Sequence, residues 1–230
     1  YHKKFIFENI EDRELFENEY IITKGQGISV KGCGVNTTYF HPYPNQEVNE
    51  AMVFTFVGRL LYDKGVKEFV EAARIIKLRH PNTQFWLVGE LDPDNPATVE
   101  KDELIEWVDS DIVYYHGFQR DVRPFISKSD CVVLPSYREA IPRTITEAMA
   151  MAKPVITTDT AGCREAVEVE VNGYLAKLRD ANDLAESMQK IISLTKEERK
   201  SMGQAGRNIV MNQFDDRLIA NHIYDIISKI

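Results

Sequence analysis

Glu139 and Glu147 stand eight residues apart, and the loop between them begins Ala140-Ile141-Pro142-Arg143-Thr144. Pro142 suits the first turn of a helix, because the amide hydrogen it lacks would have no intrahelical partner there. The backbone N–H groups of residues 141–144 then point away from the helix and, with the positive end of its dipole, make an anion site. Glu147 falls one turn beyond Arg143 and Thr144, where a carboxylate can accept both hydroxyls of a ribose, as the acidic residue of dinucleotide folds does. Glu139 falls in the loop before the helix, close to whatever the phosphates carry. One loop and one helix thus serve a phosphate, a ribose and a third group. Against this, 36 acidic residues produce such a spacing by chance many times over. A Glu near a helix start is also common for capping reasons alone. The pair therefore takes its weight from its surroundings.

Short apolar runs predict strands over 52–57, 84–88, 112–115, 131–134 and 155–158. Amphipathic stretches predict helices over 64–80, 142–152 and 183–194. Strands alternating with helices imply parallel pairing in a doubly wound α/β sheet, and uninterrupted apolar strands fit a sheet covered on both faces. Helices over 183–194, 196–211 and 217–230 with little strand between them predict a helical C-terminal tail. At the start, 4–7 reads as a strand, 11–16 as a short helix and 25–30 as a strand. The turn-rich His41-Pro42-Tyr43-Pro44-Asn45 separates residues 1–40 from the main unit.

Ligands of open α/β sheets bind beyond the carboxyl ends of the strands. There the sequence gathers Gly58-Arg59 and Lys64-Gly65, Gly89-Glu90, His116-Gly117, Ser136 to Glu139, and Asp159 with Gly162. Arg59 and Lys64 can hold a diphosphate, one as a planar fork and the other as a point charge. The alternative is a solvated pair satisfied by nearby Asp63 and Glu68. Asp92-Pro93-Asp94 has the form of a cation-binding D-x-D, but Leu91 to Pro96 also reads as a polar turn, which is the preferred reading. His116 is read as structural.

The chain has 230 residues, 43% hydrophobic and 28% charged, with a net charge of −8, as expected of a globular protein without the basic face of a nucleic-acid binder. Cys33, Cys131 and Cys163 have neither zinc nor disulfide spacing and read as reduced thiols in a cytoplasmic protein. No apolar run approaches the roughly 20 residues that span a bilayer. The chain does not begin with Met, so it is open to being a fragment of a longer one.

The ordered motifs resemble the C-terminal domain of family-4 retaining glycosyltransferases with the GT-B fold. They are Gly34-Val35-Asn36, Phe56-Val57-Gly58-Arg59-Leu60, Leu87-Val88-Gly89, His116-Gly117-Phe118, Leu134-Pro135-Ser136-Tyr137-Arg138-Glu139, Thr146-Glu147-Ala148-Met149-Ala150, Lys153-Pro154-Val155-Ile156, Gly162-Cys163-Arg164-Glu165 and Asn172-Gly173-Tyr174-Leu175. Each is weak alone; in order they cover roughly residues 27–230. The resemblance implies a Rossmann-like donor domain over 27–230 and, over 1–26, a remnant of the N-terminal acceptor domain. It implies that Arg59 and Lys64 neutralise the donor diphosphate, Glu139 contacts the donor sugar and Glu147 binds the ribose. Gly58 belongs to the same motif as Arg59. Ala140, Ile141, Pro142, Arg143 and Thr144 would face phosphates and sugar, and Gly117 with Phe118 would lie at the nucleobase. The family often has glycine right after the first Glu; if the backbone there needs positive φ, Ala140 would be strained.

The implied activity is transfer of a hexosyl group from a nucleotide diphosphate sugar, with UDP-sugars foremost, to a sugar or lipid-linked acceptor with retention. Members similar to this one build bacterial capsule or lipopolysaccharide. No metal or cofactor is implied. The acceptor would be met through the missing N-terminal domain, and the isolated chain would transfer little. A cytoplasmic location follows, with peripheral attachment of the full enzyme to the inner face of the membrane as an option. The alternatives are a GT-B-type sugar-nucleotide epimerase and a non-catalytic nucleotide-binding module.

Overall fold

A computed structural model describes residues 3–43 and 51–228. Two sheets form. The small one pairs β1 (Phe5–Phe7) in parallel with β2 (Gly27–Ser29), joined through helix α1 (Ile10–Asn18). Its pairing runs across the boundary expected at residues 26 and 27. The large one has six strands, all parallel. They are β3 (Val53–Val57), β4 (Gln84–Val88), β5 (Tyr114–Tyr115), β6 (Cys131–Leu134), β7 (Val155–Thr158) and β8 (Gly173–Ala176), in the order β5-β4-β3-β6-β7-β8.

Every residue of β3, β6 and β7 is buried. That is the condition of a central parallel strand covered on both faces, and it explains their lack of polar alternation. Helix α2 (Val66–Arg79) packs against α7 (Ala181–Ser193), and α5 (Arg143–Ala150) against α8 (Lys196–Gln213). Phe69 of α2 meets Phe56 and Phe85 of the sheet at ring-centroid distances of 5.8 and 5.9 Å, and Phe54 stacks on Phe85 at 5.6 Å. Such aromatic pairs contribute about 1 kcal/mol each beyond the area they bury.

The last helix, α9 (Asp216–Ile227), is tied back to the start of the chain. Asp215 caps it, accepts from Arg217 and from the Thr37 hydroxyl, and is held well below the usual carboxylate range chiefly by the Arg217 guanidinium. The Val35 N–H donates to Phe214 O, and Asp216 N–H donates to Val35 O. At Gly34, with φ +77, a Cβ would stand 2.6 Å from Asp216 Cα, so the Gly34-Val35 motif is the seat of the C-terminal helix.

The expected elements form, with shifts. The helix expected over 64–80 begins at Val66, because Gly65 in the left-handed region separates it from a 3-10 turn at Tyr62–Lys64. The strand expected over 112–115 pairs only at Tyr114–Tyr115. Pro142 caps α5 from outside its first turn, with ψ 112, and the helix begins at Arg143. The sequence reading omitted β8, α3 (Lys101–Asp109), α4 (Arg123–Lys128) and α6 (Cys163–Ala166). Part of the expected 41–45 turn lies outside the described residues. Cys131 and Cys163 are buried, Cys33 is exposed, and all three are free thiols.

Candidate functional site

In the large sheet, β3 leads to β4 on one side and β6 leads to β7 on the other. The strand order therefore reverses between β3 and β6, and a crevice opens beyond their carboxyl ends at such a switch point. The loop after β3 carries Gly58, Arg59 and Lys64; the loop after β6 carries Ser136 to Thr144. These loops are joined. Tyr137 N–H donates to Asp63 O at 2.8 Å, and the Ser136 hydroxyl donates to the same oxygen at 3.3 Å. Gly65 has φ +74, and a Cβ there would stand 2.0 Å from Pro135 O, so only glycine lets the two loops approach this closely. The Thr144 hydroxyl donates to Val57 O at 3.1 Å and pins the start of α5 to the end of β3.

The central contact is an ion pair. Lys64 Nζ lies 2.6 Å from Glu139 Oε1, with the two side chains 26% and 15% exposed. Arg59 lies 2.8 Å from Asp92 Oδ2. Asp63 and Glu68, the partners a solvated pair would use, face Tyr137 instead: Asp63 through its carbonyl, and Glu68 by accepting from the phenol at 2.7 Å. Asp92 closes the turn read from the sequence by accepting the Asn95 N–H at 2.9 Å through its carbonyl. Its N–H donates to the Thr98 hydroxyl. Among the described residues no group of three or more His, Cys, Asp or Glu side chains could hold a metal ion.

Among the described residues no side chain caps α5. The N–H groups of Ile145 and Thr146 are taken by Pro142 O. Arg143 and Thr144 come before any residue whose N–H can reach back within the helix, so they carry the amides open to an anion. One turn on, Glu147 is 12% exposed at its side chain and 3.5 Å from Arg143. Burial raises its pKa to about 7, against the opposing pull of Arg143. Ala140 does not have positive φ, so alanine is unstrained where the family often has glycine. Its carbonyl lies against Gly162, where a Cβ would stand 1.7 Å away. Ile141 packs on Gly32, where a Cβ would stand 2.9 Å from its own.

Gly58, Gly89 and Gly117 line the same sheet edge. Gly58 N–H donates to Val88 O, and Gly89 N–H donates to Gly117 O, each at 2.9 Å. Gly117 has φ +65 with open space around it, and Phe118 is 65% exposed. His116 packs between Trp86 and Phe125, at 5.0 and 4.9 Å, which fits a structural role. The structure thus brings Lys64 to Glu139, Arg143 to Glu147 and Thr144 to the β3 end, while Arg59 reaches toward the β4 loop. Asp92 was not expected as the partner of Arg59, because the pairing depends on β4 lying beside β3, which no local spacing in the sequence gives.

Comparison with known proteins gives a consistent result. Residues 41–209 match the model of the family described as glycosyl transferases group 1. The chain is 30% identical over 242 residues to the N,N'-diacetylbacillosaminyl-diphospho-undecaprenol alpha-1,3-N-acetylgalactosaminyltransferase of Campylobacter jejuni, covering 98% of this chain and 61% of that one. It is 29% identical to the UDP-Gal:alpha-D-GlcNAc-diphosphoundecaprenol alpha-1,3-galactosyltransferase of Escherichia coli, covering 89% of this chain and 54% of that one. Its fold matches Anabaena Alr3699/HepE, solved in complex with UDP, with a TM-score of 0.86 at 21% identity over 99% of this chain and 64% of that one. The chain therefore spans roughly half to two thirds of the length of these proteins. Its parallel sheet is that of GT-B glycosyltransferases, and the chain belongs to the group 1 glycosyl transferases.

Proposed function

We propose that this chain is the donor-binding part of a glycosyltransferase that moves a hexosyl group from a UDP-sugar to a sugar or lipid-linked acceptor with retention. The observation that carries the reading is the Lys64–Glu139 pair at the switch point, beside the uncapped start of the helix that also bears Glu147. In this reading Lys64 and Arg59 neutralise the diphosphate with the Arg143 and Thr144 amides, without a metal ion. Glu147 accepts from the ribose hydroxyls, and Glu139 faces the donor sugar. Ala140, Ile141 and Pro142 face the phosphates and sugar, Gly58 lies with Arg59, and Gly117 and Phe118 lie at the nucleobase. The UDP-sugar in the name of the Escherichia coli relative supports the donor class, and the diphospho-undecaprenol in both relatives' names supports a lipid-linked acceptor.

Residues 1–26 go, in this reading, with the half of the enzyme that meets the acceptor. Their strand lies outside the six-stranded sheet and leaves Phe5 and Ile6 exposed. The isolated chain then binds donor but transfers little. Among the described residues no helix is long and apolar enough to cross a membrane. Peripheral attachment of the full enzyme at the inner face is the form in which it would meet a lipid-linked acceptor.

Calorimetry on this chain tests the reading. UDP is expected to bind, and Glu147→Ala to weaken it at least tenfold, about 1.4 kcal/mol. A parent chain that binds no UDP, or a Glu147→Ala variant that binds it equally well, overturns the donor-site assignment. Incubating the full-length protein with UDP-GlcNAc and no acceptor separates transferase from epimerase, since epimer formation rejects the former.

A further inference from the structure

Four consecutive residues at the start of α1 each reach the candidate donor loop or the helix beside it. Asn9 Nδ2 donates to Ala140 O at 3.3 Å. The Ile10 N–H donates to Glu165 Oε1 at 2.9 Å. Glu11 pairs with Arg164 at 2.5 Å, and Asp12 pairs with Arg138 at 2.6 Å. The ion pairs have exposed partners and are of the kind that contributes little. Asn9 differs from them, because it is fully buried.

Its orientation is fixed by two contacts. Asn9 caps α1 by accepting the Asp12 N–H on Oδ1 at 2.7 Å, and Nδ2 also donates to Asp12 Oδ2 at 2.8 Å. With Oδ1 committed to the cap, the remaining Nδ2 hydrogen faces Ala140 O. That carbonyl is also the one Gly162 lies against. The Ala140–Ile141 peptide, one residue on from Glu139, is thus bonded by Asn9 and packed against by Gly162. Asn9 is fully buried, so water does not readily replace the hold its amide provides.

We propose that Asn9 is a positioning residue for the donor loop: it carries the α1 N-terminus onto the Ala140 carbonyl and so sets the backbone between Glu139 and the start of α5. It touches no substrate, and its bearing on donor binding rests on the donor-site reading above. By this route the segment preceding the large sheet determines the geometry of a site built on that sheet.

Asn9→Ser separates capping from positioning, since Ser caps a helix about as well as Asn but is too short to reach Ala140. Asn9→Asp is the second variant. It keeps the size and the cap, and presents an oxygen instead of a donor to Ala140 O. Both are made in this chain. Hydrogen exchange should quicken roughly tenfold or more across residues 137–144 in both variants, with β7 and α8 unchanged, as a local loss of hold requires. Affinity for UDP should fall about tenfold, with the thermal midpoint lowered more in Asn9→Asp, which sets a carboxylate against Asp12 Oδ2, than in Asn9→Ser. Unchanged loop exchange in whichever variant folds overturns the proposal. So does quickened exchange with undiminished UDP affinity, in a chain where Glu147→Ala abolishes UDP binding. If the parent binds no UDP, the donor reading fails by itself, and the exchange data still decide whether Asn9 holds the loop.

Discussion

Lys64 and Glu139, 75 residues apart in sequence, meet at 2.6 Å across the reversal point of the sheet. The cation proposed for the diphosphate neutralises the carboxylate proposed for the sugar. On the proposed roles a donor must part them, with Lys64 turning to phosphate and Glu139 to sugar. Glu139→Gln relieves Lys64 of that competitor. Calorimetry should show UDP, which lacks the transferred hexosyl group, binding roughly fivefold tighter to this variant, while sugar transfer by the full-length enzyme falls steeply. Lys64→Ala should weaken UDP by roughly 10- to 100-fold, the usual worth of a charge-assisted hydrogen bond. Equal UDP affinity in both variants rules out the exchange of partners.

Glu147 makes a pH prediction. Burial raises its folded pKa to about 7 from the ordinary 4.5, so the folded chain holds this proton more tightly than the unfolded chain. Its effect on stability is absent below about pH 4.5 and grows unfavourable as pH rises to about 7, by on the order of 3 kcal/mol. Glu147→Gln should remove that slope, seen as a gain in denaturant midpoint at pH 8 that vanishes near pH 4.5. On the proposed ribose contact, donor binding has the opposite sense, because ribose hydroxyls need the ionised carboxylate as acceptor. UDP-glucose affinity should decline as pH falls below about 7 in the parent and stay flat in Glu147→Gln.

Asp92 separates two accounts of the turn after β4. As the counter-ion of Arg59 it competes with phosphate, so Asp92→Asn should leave UDP affinity equal or higher, and EDTA should change nothing. As a cation ligand with Asp94 it would be required, and both treatments would abolish binding.

Two glycines with nearly the same φ should respond differently to alanine. Gly65→Ala meets Pro135 O at 2.0 Å and should cost roughly 2–4 kcal/mol by urea denaturation, together with UDP binding. Gly117→Ala meets open space and should cost only the left-handed backbone penalty, about 1 kcal/mol.

The central strands were legible because β3, β6 and β7 are wholly buried and therefore wholly apolar or hydroxyl-bearing, a pattern that needs no tertiary information. The edge strand β8 begins with a glycine and follows an acidic stretch, so its four residues carry no run to detect. Helix α4 has six residues, too few for a periodicity, and is marked only by Pro124 in its first turn. In α3, Leu104 and Trp107 are buried while Ile105 and Val108 face outward, which blurs its apolar face. The site residues could be assembled from strand ends and ordered motifs. Their partners could not. Arg59 finds Asp92 and Lys64 finds Glu139 because β4 and β6 flank β3, and strand order is not written in any local spacing. Asn9 lies 131 residues from Ala140, and its side chain alone reads only as a helix cap.

The parallel order of the large sheet has a kinetic consequence. Val53, at the start of β3, bonds to Asp130, 77 residues away, through an excursion that includes β4, β5 and their helices. Loop closure of that length comes late when local contacts form first. The crevice between β3 and β6 is thus among the last features of the sheet to close during refolding, and a chain that has acquired most of its helices still has no pocket for a nucleotide.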